Sequence, residues 1–440
     1  MLFLEDVILP PGEKIRRIRG FLGAKQEDIT GNKITRNLIS YVENGKTRLV
    51  RDTAQIVVEN LLRIAEEQKN PIHLTVDYIM EREEEQADRI LKKLAQQMQQ
   101  YLSTKEKGFM ETLNKAEEII EEWNIPDRKA WIYELVGDFH YEKGDYNESY
   151  IYCIKSLESY IQTNFHIKVA EAYCKLGKTS IMLKKYQEAI NLNRHCKVIL
   201  ESHGVHDATI IKKIFFNNAL AYWNLKLYDP CLEMLEKLIA GYDDLTEKQL
   251  FDIYIIKGNC YLHMEEVVLG RQFYEKALEF AEKIGDEELE ARAYLKLGET
   301  YEKQGDLKKA FECDDESLKR CEKIGSRNLK TTLLVMGKRN IRAHKYSEAK
   351  ELLSRGIEEA KKRKDYPVLV EIYEQLLLVY TYLHQDEALD KLIHEMNQNQ
   401  EIQSDNKLPQ IYFTASYYFI DKNLEKSKQL LELGLQKILI

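Results

Sequence analysis

Downstream of residue 80, apolar residues recur three and four positions apart, the spacing of amphipathic helices. An acidic start at Glu81 to Glu85 is followed by Ile90, Leu91, Leu94, Met98, Tyr101 and Leu102, which predicts a connecting helix, and Lys105 to Trp123 predicts another. Beyond them the pattern acquires a longer period. Gly137, Gly177, Gly258, Gly298 and Gly337 are separated by 40, 81, 40 and 39 residues, so that one unit is repeated about every 40. Four positions before each glycine stands Tyr133, Tyr173, Tyr254, Tyr294 or Leu333. After it come a turn, then Tyr146, Tyr186, Val267, Leu307 or Tyr346, and three residues on a small residue: Ser149, Ala189, Gly270, Ala310 or Ala349. Weaker copies lie around Ala219, Tyr222, Tyr228 and Cys231, and around Leu377 and Ala415.

Pairs of antiparallel helices explain this order, because the small residues let two helices approach closely while the aromatic residues fill the space between pairs. Gly144 and Gly305 stand where one helix must stop and the next begin. About eight copies fit between residues 130 and 435. The aromatic, Gly, Tyr, Ala order, as in Tyr294, Gly298, Tyr301 and Ala310, resembles tetratricopeptide repeats, although the usual unit is shorter, about 34 residues. The resemblance implies an all-α, right-handed superhelix of about eight helix pairs with its first helices on the concave wall. Counted from the repeat glycines, that wall receives Asn217, Trp223, Asn224, Asn259, His263, Lys296, Glu299, Lys338 and Arg342. Asparagine amides donate to and accept from a peptide backbone at once, and Lys or Arg takes a terminal carboxylate, so the set is expected to hold a short linear peptide. The competing reading is that any superhelix has a polar concave wall.

The start of the chain has another pattern. Short amphipathic stretches at Glu13–Leu22, Gln26–Thr30, Thr35–Glu43 and Val50–Ala65, joined through Gly23, Gly31 and Gly45, predict a compact helix-turn-helix domain. Its charge also differs. The chain carries −8 overall, but residues 12–51 hold ten Lys/Arg against four acids, net +6, and residues 52–440 carry −12. Gly12-Glu13-Lys14-Ile15-Arg16-Arg17-Ile18-Arg19, Gln26-Glu27-Asp28-Ile29 and Ile39-Ser40-Tyr41-Val42-Glu43-Asn44-Gly45-Lys46 resemble the three helices of the phage-repressor-like XRE class of DNA-binding domains. In such a domain the third helix enters the major groove of double-stranded DNA. Thr35, Arg36, Asn37 and Tyr41 lie on its exposed side, where Arg36 suits guanine and Asn37 adenine. Gln26, Asn44, Lys46 and Arg48 would hold the phosphate backbone, and Ser40 could serve either purpose. The resemblance also implies a partly buried ion pair between Arg19 and Glu43. Asn70-Pro71 is the expected boundary, giving a DNA-binding domain at 1–70, connecting helices at 71–129 and repeats at 130–440. Leu2 to Leu9 could form an arm packing on either domain.

Composition narrows the function classes. Charged residues make up 31% and hydrophobic residues 44%, with seven prolines, as in a mostly helical soluble protein. No stretch approaches 18 uninterrupted apolar residues, and Met1-Leu2-Phe3-Leu4 runs directly into Glu5 and Asp6, so neither a membrane span nor a secretory signal is expected and the location should be cytoplasmic. Seven cysteines without a Cys-x-x-Cys pair read as reduced thiols. There is no Walker loop, zinc-protease, nucleophile-elbow or dinucleotide motif, so no catalytic residue and no cofactor is expected. His203, His206 and Asp207 could hold a metal, but a polar loop between repeats explains them better, and no metal site is assigned. An XRE-class head joined to tetratricopeptide-like repeats resembles the RRNPP family of quorum-sensing regulators. That resemblance implies a transcriptional regulator, acting as a homodimer, whose DNA binding is changed by a short signalling peptide. The alternative is a protein-binding scaffold or response-regulator modulator with a vestigial head. Relatives of that kind include aspartyl-phosphate phosphatases, whose N-terminal bundle lacks a helix-turn-helix.

Overall fold

The computed structural model describes residues 7–70, 72–104 and 107–438; among them are 22 α-helices, one 3-10 turn and no strand. Residues 2–6 of the possible arm, Pro71 of the expected boundary and Lys105 at the start of an expected helix lie outside the described residues. The chain divides into two compact units, Met1–Ala221 and Tyr222–Ile440.

The first unit opens with a head. Pro11 begins α1 (Pro11–Phe21), where a missing N–H leaves nothing unsatisfied, and Thr35 caps α2 (Arg36–Glu43) by accepting from the Leu38 N–H at 3.2 Å. With α3 (Arg51–Glu67) and α4 (Val76–Met80), they bury Ile15, Ile18, Ile29, Ile39, Val57, Leu61 and Ile79 completely. Helices α1 and α2 nearly touch: a Cβ on Gly12 would stand 2.0 Å from the Val42 carbonyl oxygen.

Two expectations need correction here. The short helix expected at Gln26–Thr30 is a run of tight turns, with the Asp28 N–H on the Lys25 carbonyl at 3.1 Å and the Thr30 N–H on that of Glu27 at 3.3 Å. Asp28 draws the Lys25 N–H onto its own carboxylate at 2.6 Å, and Gly31 and Asn32 then turn left-handed, at φ 59° and 57°. Five residues under that competition do not nucleate a helix, yet Ile29 still reaches the core. In addition, residues 72–80, assigned in sequence to the connector, pack into the head through Leu74 and Ile79.

Helices α5 (Glu83–Thr104) and α6 (Phe109–Glu122) share one apolar cluster with α7 (Pro126–Lys143), built on Leu91, Met98, Leu113 and Ile132, with Phe109 stacked on Phe139 at 4.2 Å. They are thus packed like a helix pair. Ile8 joins the same cluster, which settles where the described end of the arm lies. Three further helices belong to this unit, α8 (Tyr146–Ile161), α9 (His166–Met182) and α10 (Tyr186–Ser202), and α11 (Ala208–Asn224) runs through its end.

The second unit continues with α12 (Tyr228–Gly241), α13 (Glu247–His263), α14 (Val267–Ile284), α15 (Glu287–Lys303), α16 (Leu307–Ile324), α17 (Leu329–Arg342), α18 (Tyr346–Arg363), α19 (Tyr366–Tyr382), α20 (Asp386–Gln398), α21 (Leu408–Phe419) and α22 (Leu424–Ile438). From α7 onward the described chain forms eight consecutive helix-turn-helix units, the number read from the glycine period. The side chain sixteen residues on packs over each repeat glycine and differs from unit to unit: Cys153, Asn193, Tyr274, Asp314 and Leu353, with Arg339 closer still at Gly298. At Gly258 the approach is so close that a Cβ would fall 2.5 Å from the Tyr274 ring.

Candidate functional site

In the head, Arg19 Nε lies 2.7 Å and Nη2 3.0 Å from the two oxygens of Glu43, the partly buried pair that was expected. Gln26 adds a donor to Glu43 at 2.7 Å. Burial alone would raise the Glu43 carboxyl, but the hydrogen bonds from Arg19 and Gln26 outweigh it and hold the group below the usual carboxylate range. The last turn of α2 is thereby pinned against α1 and the turn segment. Gln26 therefore spends its amide inside the domain. Thr35 is engaged as the α2 cap, and Asn44 donates to the Ser40 carbonyl at 2.7 Å while accepting from Arg16 Nη2 at 2.8 Å.

What remains outward on and after α2 is Arg36, Asn37, Tyr41, Lys46 and Arg48, all exposed, with Ser40 half-buried. Arg36 makes a 3.3 Å ion pair with Glu27 in which both side chains are 64% exposed, a contact weak enough to exchange for another partner. Arg16, which steadies Asn44, was not singled out in the sequence; its Glu13-x-x-Arg16 spacing was the available signal.

The residues expected on a ligand wall fall into two groups. Asn217, in the first unit, is buried, with its amide 3.5 Å from the Cys174 carbonyl of α9, so its main contact is structural. The others belong to the second unit. Trp223 and Asn224 are half-buried at the end of α11, and the Trp223 indole nitrogen is buried without a hydrogen-bond partner among the described residues. Asn259 accepts the Tyr274 hydroxyl at 2.7 Å, and His263 is stacked on Tyr228 at 5.6 Å.

The charged members are all paired. Lys296 meets Glu299 at 3.2 Å along α15. Arg342 holds Glu302 with two bonds of 2.6 and 2.8 Å, and Glu302 also accepts from Arg339 Nε at 3.0 Å. Lys338 meets Glu371 at 3.0 Å, and Glu371 meets Lys407 at 2.7 Å. Donated bonds from Arg342 and Arg339 hold the Glu302 carboxyl low against the upward pull of burial, and Lys407 and Lys338 do the same for Glu371. These bonds join α15 to α17, and α17 to α19. An incoming carboxylate would have to displace Glu302 from Arg342, whose side chain is 56% exposed, rather than fill a vacant cation.

The tetratricopeptide repeat profile matches residues 128–201, 249–323 and 289–362. The chain carries tetratricopeptide repeats. It is 25% identical over 207 residues to response regulator aspartate phosphatase E of Bacillus subtilis, covering 46% of this chain and 54% of that protein. To response regulator aspartate phosphatase A of the same organism it is 27% identical over 168 residues, covering 38% and 43%. The chain thus spans about half the length of the curated relatives it matches. Among solved structures, the apo form of the quorum sensor NprR from B. thuringiensis superposes with a TM-score of 0.52 at 17% identity, covering 80% of this chain and 99% of that one. At that identity the likeness is one of fold.

Within the repeats, sequence phase selected Lys338 and Arg342 but passed over the group between them. Arg339 is completely buried on α17, with Nη1 on Asp314 of α16, itself completely buried, and Nε on Glu302 of α15. In the first unit Lys175 of α9 plays a comparable part, 2.8 Å from Glu134 and 2.6 Å from Asp138 of α7. Burial lowers the Lys175 ammonium, but the two carboxylates outweigh it and raise it above the ordinary lysine value. The loop residues weighed as metal ligands have local roles: Asp207 caps the Ile210 N–H at 2.9 Å and His203 is stacked on His166 at 3.5 Å. Among the described residues no group of three His, Cys, Asp or Glu could hold a metal ion, and no helix is long and apolar enough to cross a membrane.

Proposed function

We propose that the chain is a ligand-responsive, sequence-specific DNA-binding regulator. In this reading α2 enters the major groove, with Arg36 and Asn37 on base edges, Tyr41 and Ser40 beside them, and Lys46 and Arg48 on phosphates. A single head buries too little surface for a tight specific complex, so two copies read a two-part operator as a homodimer. The repeats take a short signalling peptide against Asn259, His263, Lys296, Glu299, Lys338 and Arg342. The peptide acts by favouring one arrangement of the repeats over another, because equal affinity for both would shift nothing.

The observation that carries the reading is the exposed Arg36, Asn37 and Tyr41 set on a helix whose orientation is fixed from behind by Arg19, Glu43 and Gln26. The fold shared with a quorum sensor agrees with it. The test is fluorescence anisotropy of labelled DNA from the protein's own upstream region at about 150 mM salt, where non-specific binding is weak. Short peptides encoded by adjacent reading frames are added in turn. Specific binding that a peptide changes supports the proposal, and equal affinity for all DNA overturns it.

A second reading is favoured by the two phosphatase relatives: the repeats engage a response regulator and the head is vestigial. Faster loss of the aspartyl phosphate from a phosphorylated receiver domain, together with no operator binding, would establish it.

A further inference from the structure

Only Glu81 and Arg82 separate α4 of the head from α5, a joint short enough to pivot and too short to pack by itself. Two buried polar side chains close on it, one from α1 and one from α5. From α1, Lys14, 1% exposed, donates to the Tyr78 carbonyl at 2.6 Å and the Glu81 carbonyl at 3.1 Å, and lies 3.8 Å from the Glu81 carboxylate. From α5, Gln86, completely buried, donates to the same Glu81 carbonyl at 2.8 Å. Its amide also brackets Leu9, accepting from the Leu9 N–H at 3.1 Å and donating to the Leu9 carbonyl at 2.9 Å. Arg89 of α5 holds the Glu81 carboxylate at 2.9 and 3.1 Å.

Neither side chain belongs to the DNA face or to the ligand wall. Apolar residues would fill both positions without the desolvation penalty of a buried ammonium and a buried amide. That penalty is visible in Lys14, whose ammonium burial brings down to about 8 although Glu81 opposes the shift. What an apolar residue could not supply is direction, because the bonds converge on backbone atoms of residues 9, 78 and 81.

We propose that Lys14 and Gln86 are positioning residues that lock the joint between the head and α5, so that the direction in which α2 faces is set by α5. Helix α5 in turn packs on α7 of the first repeat through the cluster at Leu91 and through Arg128, whose Nε lies 2.7 Å from Asp88. A continuous path thus runs from the first repeat through α5 and α1 to α2. The locking claim stands on geometry alone; its consequence for operator reading rests on the function proposed above.

The test uses the full chain carrying Lys14→Met, Gln86→Leu, both together, and the near-isosteric Gln86→Glu, which keeps the acceptor for the Leu9 N–H and loses the donors to the Leu9 and Glu81 carbonyls. Trypsin can cut after Arg82, whose side chain is 71% exposed. Release of the fragment ending at Arg82 should rise about tenfold in the double variant and less in Gln86→Glu, with the melting temperature of the repeats unchanged. On DNA, affinity for a single half-site should stay within about twofold of the parent. Inserting about 5 base pairs, half a helical turn, between two half-sites should cost the parent at least about tenfold and the double variant less than about threefold. Unchanged cleavage in folded variants overturns the lock. Half-site affinity falling in step with two-site affinity shows a purely structural role and overturns the positioning claim. If the double variant does not fold, Gln86→Glu carries both measurements. If the parent binds no specific DNA, the function proposal fails while the cleavage result still decides the lock.

Discussion

The head and the repeats use the same Arg and Glu chemistry to opposite ends. In the head, Arg19, Glu43 and Gln26 close on one another inside a single small core, so their bonds fix one surface and stay within the head. In the repeats, the pairs reach from one helical unit to the next: Asp252 to Arg292 at 2.5 Å, Glu302 to Arg342, Lys338 to Glu371. Each of these joins first helices of successive repeats, residues 33 to 40 apart. A stack held by nearest-neighbour contacts adjusts its curvature in small steps, whereas a face pinned from within one small core does not. The function proposed above would use both properties, one rigid face to read a sequence and one deformable body to sense a ligand.

The most severe way to break this comparison is Arg339→Ala. It would leave Asp314 completely buried without its cation, and such losses cost about 3–5 kcal/mol, measurable as an early unfolding transition in urea. Replacing the pair together, Arg339→Met with Asp314→Leu, should recover most of that loss. Next in size is Arg36→Ala with Asn37→Ala. If α2 reads bases, operator affinity should fall by about 1–3 kcal/mol per lost contact while the melting temperature stays put. A drop in melting temperature instead would mean that the two residues belong to the head's interior.

Glu43 sharpens the comparison through pH. Its carboxyl is held below the ordinary range in the folded head, so its stabilisation is complete above the unfolded pKa and is lost as pH falls through the lower folded value. The acid limb of head unfolding should therefore be shallower in Glu43→Gln than in the parent. The smallest effect is expected at the turns inside the repeats. Lys184, Lys226, Glu265, His344 and His384 all adopt left-handed backbone, φ 53° to 65°, where Gly144 and Gly305 serve elsewhere. Glu265→Gly should therefore stabilise by roughly 0.5–1 kcal/mol in thermal melts, since glycine escapes the steric penalty at positive φ.

These turns also show how much could be read in advance. Helix-turn-helix units were legible because Gly137, Gly177, Gly258, Gly298 and Gly337 mark close approaches that only small residues permit, and the spacing survives without any knowledge of partners. The Arg19 and Glu43 pair was legible only through the resemblance of the head. The ladder of charges was not legible, because Glu302 and Glu371 look like ordinary solvated acids until the next helix places Arg342 and Lys338 opposite them. Asn217 shows the same limit in reverse: phase put it on an open wall, and the fold buries it with its amide toward the Cys174 carbonyl. In the head, a five-residue stretch was read as helix because Gln26 to Ile29 fit a family pattern, whereas Asp28 settles the local competition in favour of turns.

The residue over each repeat glycine gives the array an identity code. Judged by its glycines alone, the stack would lose one unit and keep the rest intact if α15 and α16 were excised. In the shortened chain, by the 40-residue phase, Tyr274 would stand where Asp314 does and Leu262 where Glu302 does. Arg339 would then face a phenol and an alkyl chain, a buried guanidinium with no counter-charge. Units that look interchangeable by their glycines are therefore keyed to their neighbours, and the order of the stack is written into its interior.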